Sequence, residues 1–195
     1  MTASTDTSRD ASPARRPLDV VDAMRRRRMH RAFEDRTVSR EVLQQLVWGA
    51  VRAQQCRSGI RNLIVVDDPA VMATARQVLP GFINNAPAMI VHCTDLHRTE
   101  AVTGRRGIDV ATRLDAGAAC AHLGLLAQAF GLGVCTVTSW PDVVVQELLE
   151  LPSHIRPDVT VAIGYVSDTP SPAARGFRTA AFHNRYGNDF ERVSL

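Results

Sequence analysis

The sequence predicts an α+β fold, with a central mixed or antiparallel sheet flanked by helices, in a single domain of a 195-residue chain. Three observations carry this expectation. Four short apolar runs of strand character are interspersed with amphipathic stretches, without the even spacing of a parallel βαβ series. No G-x-G-x-x-G turn is present, which argues against a doubly wound dinucleotide-binding sheet. No internal repeat is visible.

Residues 1–17 are polar, rich in Ser, Thr, Asp, Ala and Pro, and are expected to form a disordered tail ahead of a domain over 18–195. A short helix is expected from Leu18, with Val20, Val21, Ala23 and Met24 as its apolar side. Arg27 to Val38 has no period and reads as a loop. Ser39 is a good N-cap for a helix whose apolar positions are Val42, Leu43, Leu46, Val47, Ala50 and Val51. Leu63–Val66 reads as a buried strand, and Asp68-Pro69 opens a helix that stops before Pro80-Gly81. Pro87–Cys93 is the second strand, and the polar stretch 96–107 reads as a mobile loop.

The longest helix is expected over Ile108–Phe130, with Leu114, Ala118, Ala121, Leu125 and Ala129 as one stripe. Its remaining positions are small, which predicts a buried helix with His122 as a hydrogen-bonded core residue. Gly131 or Gly133 ends it. Val134–Val137 is the third strand, Ser139 and Pro141 start a helix stopped by Pro152, and Val159–Tyr165 is the fourth strand. From Ser167 onward there is little periodicity.

Composition narrows the function. No apolar run approaches the roughly 20 residues of a membrane span. The N-terminus lacks an apolar signal core, so a cytoplasmic protein is expected. Cys56, Cys93, Cys120 and Cys135 form no C-x-x-C pair and read as reduced, mostly buried thiols. A net charge of +3 does not argue for nucleic acid. Six scattered histidines give no metal-ligand spacing, and no Ser-His-Asp set or carboxylate pair stands out for catalysis. The basic residues cluster instead: Arg25 to Arg28 with Arg31, and Arg175, Arg178 and Arg185 near the end. Arginine forks suit a phosphate dianion, although such runs are commonly just solvated charge.

Four local motifs stand in a telling order. They are Arg27-Arg28-Met29-His30-Arg31-Ala32-Phe33 after the first helix, and a helix running from Asp115 into Gly131-Leu132-Gly133-Val134-Cys135. Leu151-Pro152 to Pro157 then leads into a strand ending Ile163-Gly164-Tyr165, and Arg175-Gly176-Phe177-Arg178 follows. In these features the chain resembles the nitroreductase family over about Asp19 to Arg185. The resemblance implies an interlocked homodimer, with segment 167–195 wrapping the partner and FMN at the interface. It implies phosphate contacts from Arg27, Arg28, Arg31, Arg175 and Arg178. Thr138 and Ser139 would lie beside the flavin ring, where a simple turn with Ser139 as N-cap is the other reading. No residue is assigned as catalytic, because the flavin itself carries the hydride.

Two departures matter. Met29 stands where the family has Ser. The family's A-P-S-x-x-N-x-Q-P-W-x-F loop is rewritten as Ala53 to Ile64, with Gln55 and Ser58 as candidate replacements for lost flavin contacts. Cys56 beside Arg57 reads as an unremarkable small residue rather than an activated thiol. The functional expectation is an FMN-dependent oxidoreductase, NAD(P)H being a candidate donor, acting on a nitro compound or quinone or as a dehydrogenase. A flavin storage protein with little turnover is the alternative. So is a relative of the cyclodipeptide oxidase catalytic subunit, for which a small partner subunit would be expected. A scaffold that has lost FMN is a third reading.

Overall fold

A computed structural model of the chain describes residues 18–79, 83–167 and 180–190. The expected tail 1–17, the Pro80-Gly81 stop and most of 167–195 lie outside the described residues. No helix among the described residues is long and apolar enough to cross a membrane.

The elements run α1 (Val20–Arg26), α2 (Arg40–Val51), β1 (Arg61–Val66), α3 (Pro69–Val78), β2 (Ala88–Asp95), α4 (Leu96–Arg106), α5 (Thr112–Gln128), β3 (Leu132–Val137), α6 (Asp142–Leu148) and β4 (Ile155–Tyr165). The sheet has the order β1-β2-β4-β3 and every pairing is antiparallel. Strand character follows from the sequence: β2 and β4 are apolar on both faces because helices cover both. On one face Ala88, Ile90, Leu132, Val134, Val161 and Ile163 pack with α2 and α5. On the other, Met89, Val91, Cys135 and Val137 pack with Met72 and Ala75 of α3 and Val145 of α6.

Local signals set several boundaries. Asp19, Ser39 and Asp68 each accept hydrogen bonds from the first turn of the helix they precede. Gly131 takes φ 68° just beyond α5, a conformation that favours glycine.

Four expectations are corrected. Residues 96–106 are helical rather than a loop, with a kink at Gly104 (φ 63°): Asp95 accepts from Arg98 N–H at the start, and the Thr99 and Thr103 hydroxyls spend their donors on the i−4 carbonyls. Such a helix carries no apolar stripe to read. A short π-helical segment, Gly107–Ala111, joins it to α5. The stripe expected to be buried on α5 is partly outside, with Leu114 62% exposed and Ala121 exposed. The buried side is Ala116, Ala119, Leu123 and Ala127, and His122 is exposed rather than in the core. A helix small on every side gives no contrast by which to choose its inner face. Of the expected apolar side of α1, only Ala23 is buried. Ser139 does not cap α6, which starts at Asp142 after Pro141 with no side-chain cap.

Candidate functional site

The arginine loop after α1 lies against the outer rim of the sheet. β3 is the edge strand, and Met29 bridges Val134 in parallel. His30 N–H donates to Val134 O at 3.0 Å, and Glu34 N–H to Tyr165 O at 2.8 Å. Phe33 is buried in the second core. Its N–H donates to Asn85 Oδ1 at 3.0 Å, and Asn85 Nδ2 donates back to its carbonyl at 2.6 Å. Asn84 Nδ2 donates to Arg31 O. Gly133 and Gly164 let the loop come this close: a Cβ at Gly133 would sit 2.9 Å from His30 Cβ, and one at Gly164 2.8 Å from Phe33 Cβ.

Between this loop and α5 lies a cleft of about 350 Å³, with Arg27 and Met24 at its lip, Cys120, Ala121 and Gly124 from the helix, and Val134 and Thr136 from β3. Burial pushes the Cys120 thiol up to about 12, with Arg61 pulling the other way, so the cleft offers a neutral thiol. A second cavity of about 290 Å³ on the other side of the loop is lined by Arg28, Met29, His30, Phe33, Glu34 and Val166. Burial and then Arg28 lower the pKa of His30 below its ordinary value, which leaves it neutral at pH 7.

The expected site residues are thus placed unequally. Arg27 is exposed on the cleft. Arg28 turns its Nη1 back to the Arg25 and Arg27 carbonyls, at 2.6 and 2.8 Å. Arg31 is exposed, and its charge reaches Cys135 on β3. Thr138 and Ser139 are exposed just past the end of β3, and neither they nor Arg31 line the cleft. Arg175 and Arg178 lie outside the described residues.

Gln55 and Ser58 do not line the cleft. Their loop is tied down from within. Arg61 donates to the carbonyls of Ala50 (2.9 Å) and Gln54 (2.5 Å), and Cys56 N–H donates to Asp115 Oδ2 at 2.7 Å. Gln55 Nε2 is buried without a partner, and Ser58 is exposed. Cys56 is exposed, yet loss of water around it and then Asp115 raise its thiol pKa, so it is not an activated nucleophile. All four cysteines are free, and among the described residues no group of three or more His, Cys, Asp or Glu could hold a metal.

Sequence reasoning missed Asn84, Asn85, Thr136 and Gly124. The Asn84-Asn85 pair was the readable signal, since two adjacent Asn before a strand suit a turn with side-chain bonds to backbone; Asn84 indeed takes φ 42°.

Known proteins share this fold. A model described as the nitroreductase family matches residues 57–165. An FMN reductase (NADPH) of Bacillus subtilis strain 168 is 23% identical over 188 residues, covering 87% of this chain and 75% of that protein. The solved structure of NfrA2 from B. megaterium superposes with a TM-score of 0.75 at 23% identity, covering 87% of this chain and 75% of that one. An FMN-dependent nitroreductase from Clostridium difficile R20291 gives 0.66 at 25% identity, covering 80% and 92%.

Proposed function

Because the chain belongs to the nitroreductase family, we propose that it is an FMN-dependent oxidoreductase that takes electrons from NAD(P)H and passes them to a small organic acceptor. The observation that carries this reading is the cleft itself. It sets Arg27 against Val134 and Thr136 of β3 over the small side chains of α5. The donors suit FMN: the Arg27 guanidinium at the cleft offers a planar fork of N–H groups for a phosphate, and Arg31 and the exposed turn at Thr138 and Ser139 stand outside its lining as further donors. Gly124 helps leave room for a planar group, since a Cβ there would lie 3.4 Å from Arg27 Cδ. When bound, FMN supplies hydride transfer. The chain's own residues hold and orient it.

The same reading includes a homodimer. Val20, Met24, Trp48, Val51 and Leu114 are exposed, and a groove of about 340 Å³ is lined by Leu18, Val20, Trp48, His122 and Leu125. An apolar face of this kind on α1, α2 and α5 suits a second copy. A single species of twice the chain mass by sedimentation is expected; a monomer at micromolar concentration contradicts it.

The deciding experiment is anaerobic mixing of the purified, FMN-loaded protein with NADH or NADPH while flavin absorbance near about 450 nm is followed. Rapid bleaching is expected. Flavin that stays oxidised sinks the NAD(P)H-dependent reading and leaves a dehydrogenase reduced by its own substrate, or a storage protein, the reading suggested by the rewritten loop around Gln55.

A further inference from the structure

The arginine loop meets β3 as a parallel strand would, and then departs from that pattern. His30 N–H donates to Val134 O. A parallel ladder would next give the Thr136 N–H to the His30 carbonyl. It goes instead to the Met29 thioether, with N···Sδ 3.1 Å. Thr136 lines the cleft, while Met29 lines the cavity on the far side of the loop and is 42% exposed. A sulfur is a weak acceptor, and a half-exposed methionine adds little to the core. Its position gives it a different use.

We propose that Met29 is a positioning residue for the cofactor: its sulfur latches the loop that carries Arg27 and Arg31 to the strand that leads into Thr138 and Ser139. This rests on the FMN reading above. The two halves of the cleft come from segments more than a hundred positions apart in sequence, and among the described residues the Met29 sulfur is the side-chain acceptor that reaches from the loop to this stretch of β3. With the latch made, the cationic donors and the strand end keep a fixed separation. Without it, the loop keeps the Val134 bridge, the Phe33 anchor, and the Asn84–Arg31 and Glu34–Tyr165 bonds, all but the first of which lie beyond Met29.

The test compares Met29→Leu, which keeps shape and removes the acceptor, with Met29→Gln, which restores an acceptor one bond farther out on a flexible side chain. Two quantities are read: the amide exchange rate of Thr136 in the flavin-free protein, and the Kd for FMN. Met29→Leu is expected to speed Thr136 exchange and weaken FMN binding by about three- to tenfold, the range of one lost neutral hydrogen bond. Met29→Gln is expected to restore both, and the melting temperature of the flavin-free protein to change little in either variant. Met29→Ala serves as a second acceptor-free variant should the leucine disturb the loop. Wild-type FMN binding that neither acceptor-free variant weakens overturns the latch and leaves the cofactor reading intact. A wild-type chain that binds no FMN overturns both. Weakened binding that glutamine fails to restore also overturns it, because the loss is then one of packing.

Discussion

The Cys56 backbone N–H donates to the Asp115 carboxylate at 2.7 Å, which pins the α2–β1 loop to the first turns of α5. Asp115 is 5% exposed, and the Arg61 guanidinium is its neighbouring cation. Asp115→Ala leaves the Cys56 amide unpaired in a half-buried site. The expected cost is about 1–3 kcal/mol, read as a lower urea midpoint with an unchanged slope. Asp115→Asn additionally removes a negative charge that helps hold the Cys56 thiol above its ordinary pKa. Cys56 should then alkylate faster at pH 8, in a timed assay with iodoacetamide. An unchanged alkylation rate contradicts the assigned cause.

Asp158 gathers a buried cluster. It accepts from Arg156 Nε at 2.8 Å and from the Thr94 hydroxyl, Arg113 lies 3.6 Å away, and His92 Nδ1 stands 3.4 Å off. Burial pushes its carboxyl up, but His92, Thr94 and Arg156 outweigh burial and hold it below the usual carboxylate range. The native pKa lies below the unfolded value of about 3.9. Its stabilisation is therefore complete above roughly pH 4 and is lost as pH falls through the lower native value. Asp158→Asn should cost about 3–5 kcal/mol at pH 7, because Arg156 loses its buried partner. It should also flatten the acid limb of stability against pH. An acid limb of wild-type steepness in the variant refutes the assignment.

Gly133→Ala tests the docking of the arginine loop. The added methyl would lie 2.5 Å from Val166 Cγ1 and 2.9 Å from His30 Cβ. Overpacking of this kind costs about 1–3 kcal/mol. The loop should lift before the sheet fails, so protease nicking between Arg27 and Glu34 should rise well before the melting temperature falls.

Arg27→Ala removes the guanidinium at the lip of the cleft. Isothermal titration with FMN should show binding weaker by roughly ten- to a hundredfold, the range for a hydrogen bond to a charged group. The wild-type affinity should fall with added salt more steeply than that of the variant. Equal salt dependence counts against a phosphate contact.

What was legible in the sequence follows physical contrast. Ser39 and Asp68 announced their helices because a short polar side chain followed by an apolar period has few other uses. β2 and β4 were readable as continuous apolar runs. α4 was not, since its one side-chain cap is the Asp95 carboxylate accepting from Arg98 N–H, with no apolar stripe behind it. The inner face of α5 was hidden because glycine and alanine ring the helix. For the site, the arginines were legible as a cluster. The asparagine side chains that hold their loop, and the sulfur that meets Thr136, depend on contacts between segments far apart in sequence, and no local pattern encodes them.

The parallel contact of Met29 with Val134 reaches beyond the cleft. A sheet presents two rims of unpaired main chain, and here the arginine loop occupies one of them, along β3. Among the described residues the other rim, β1, pairs only inward with β2. The outer main-chain groups of β1 thus face no strand among the described residues, while those of β3 at Val134 and Thr136 are already taken by the arginine loop, so an added strand would find its partners at β1.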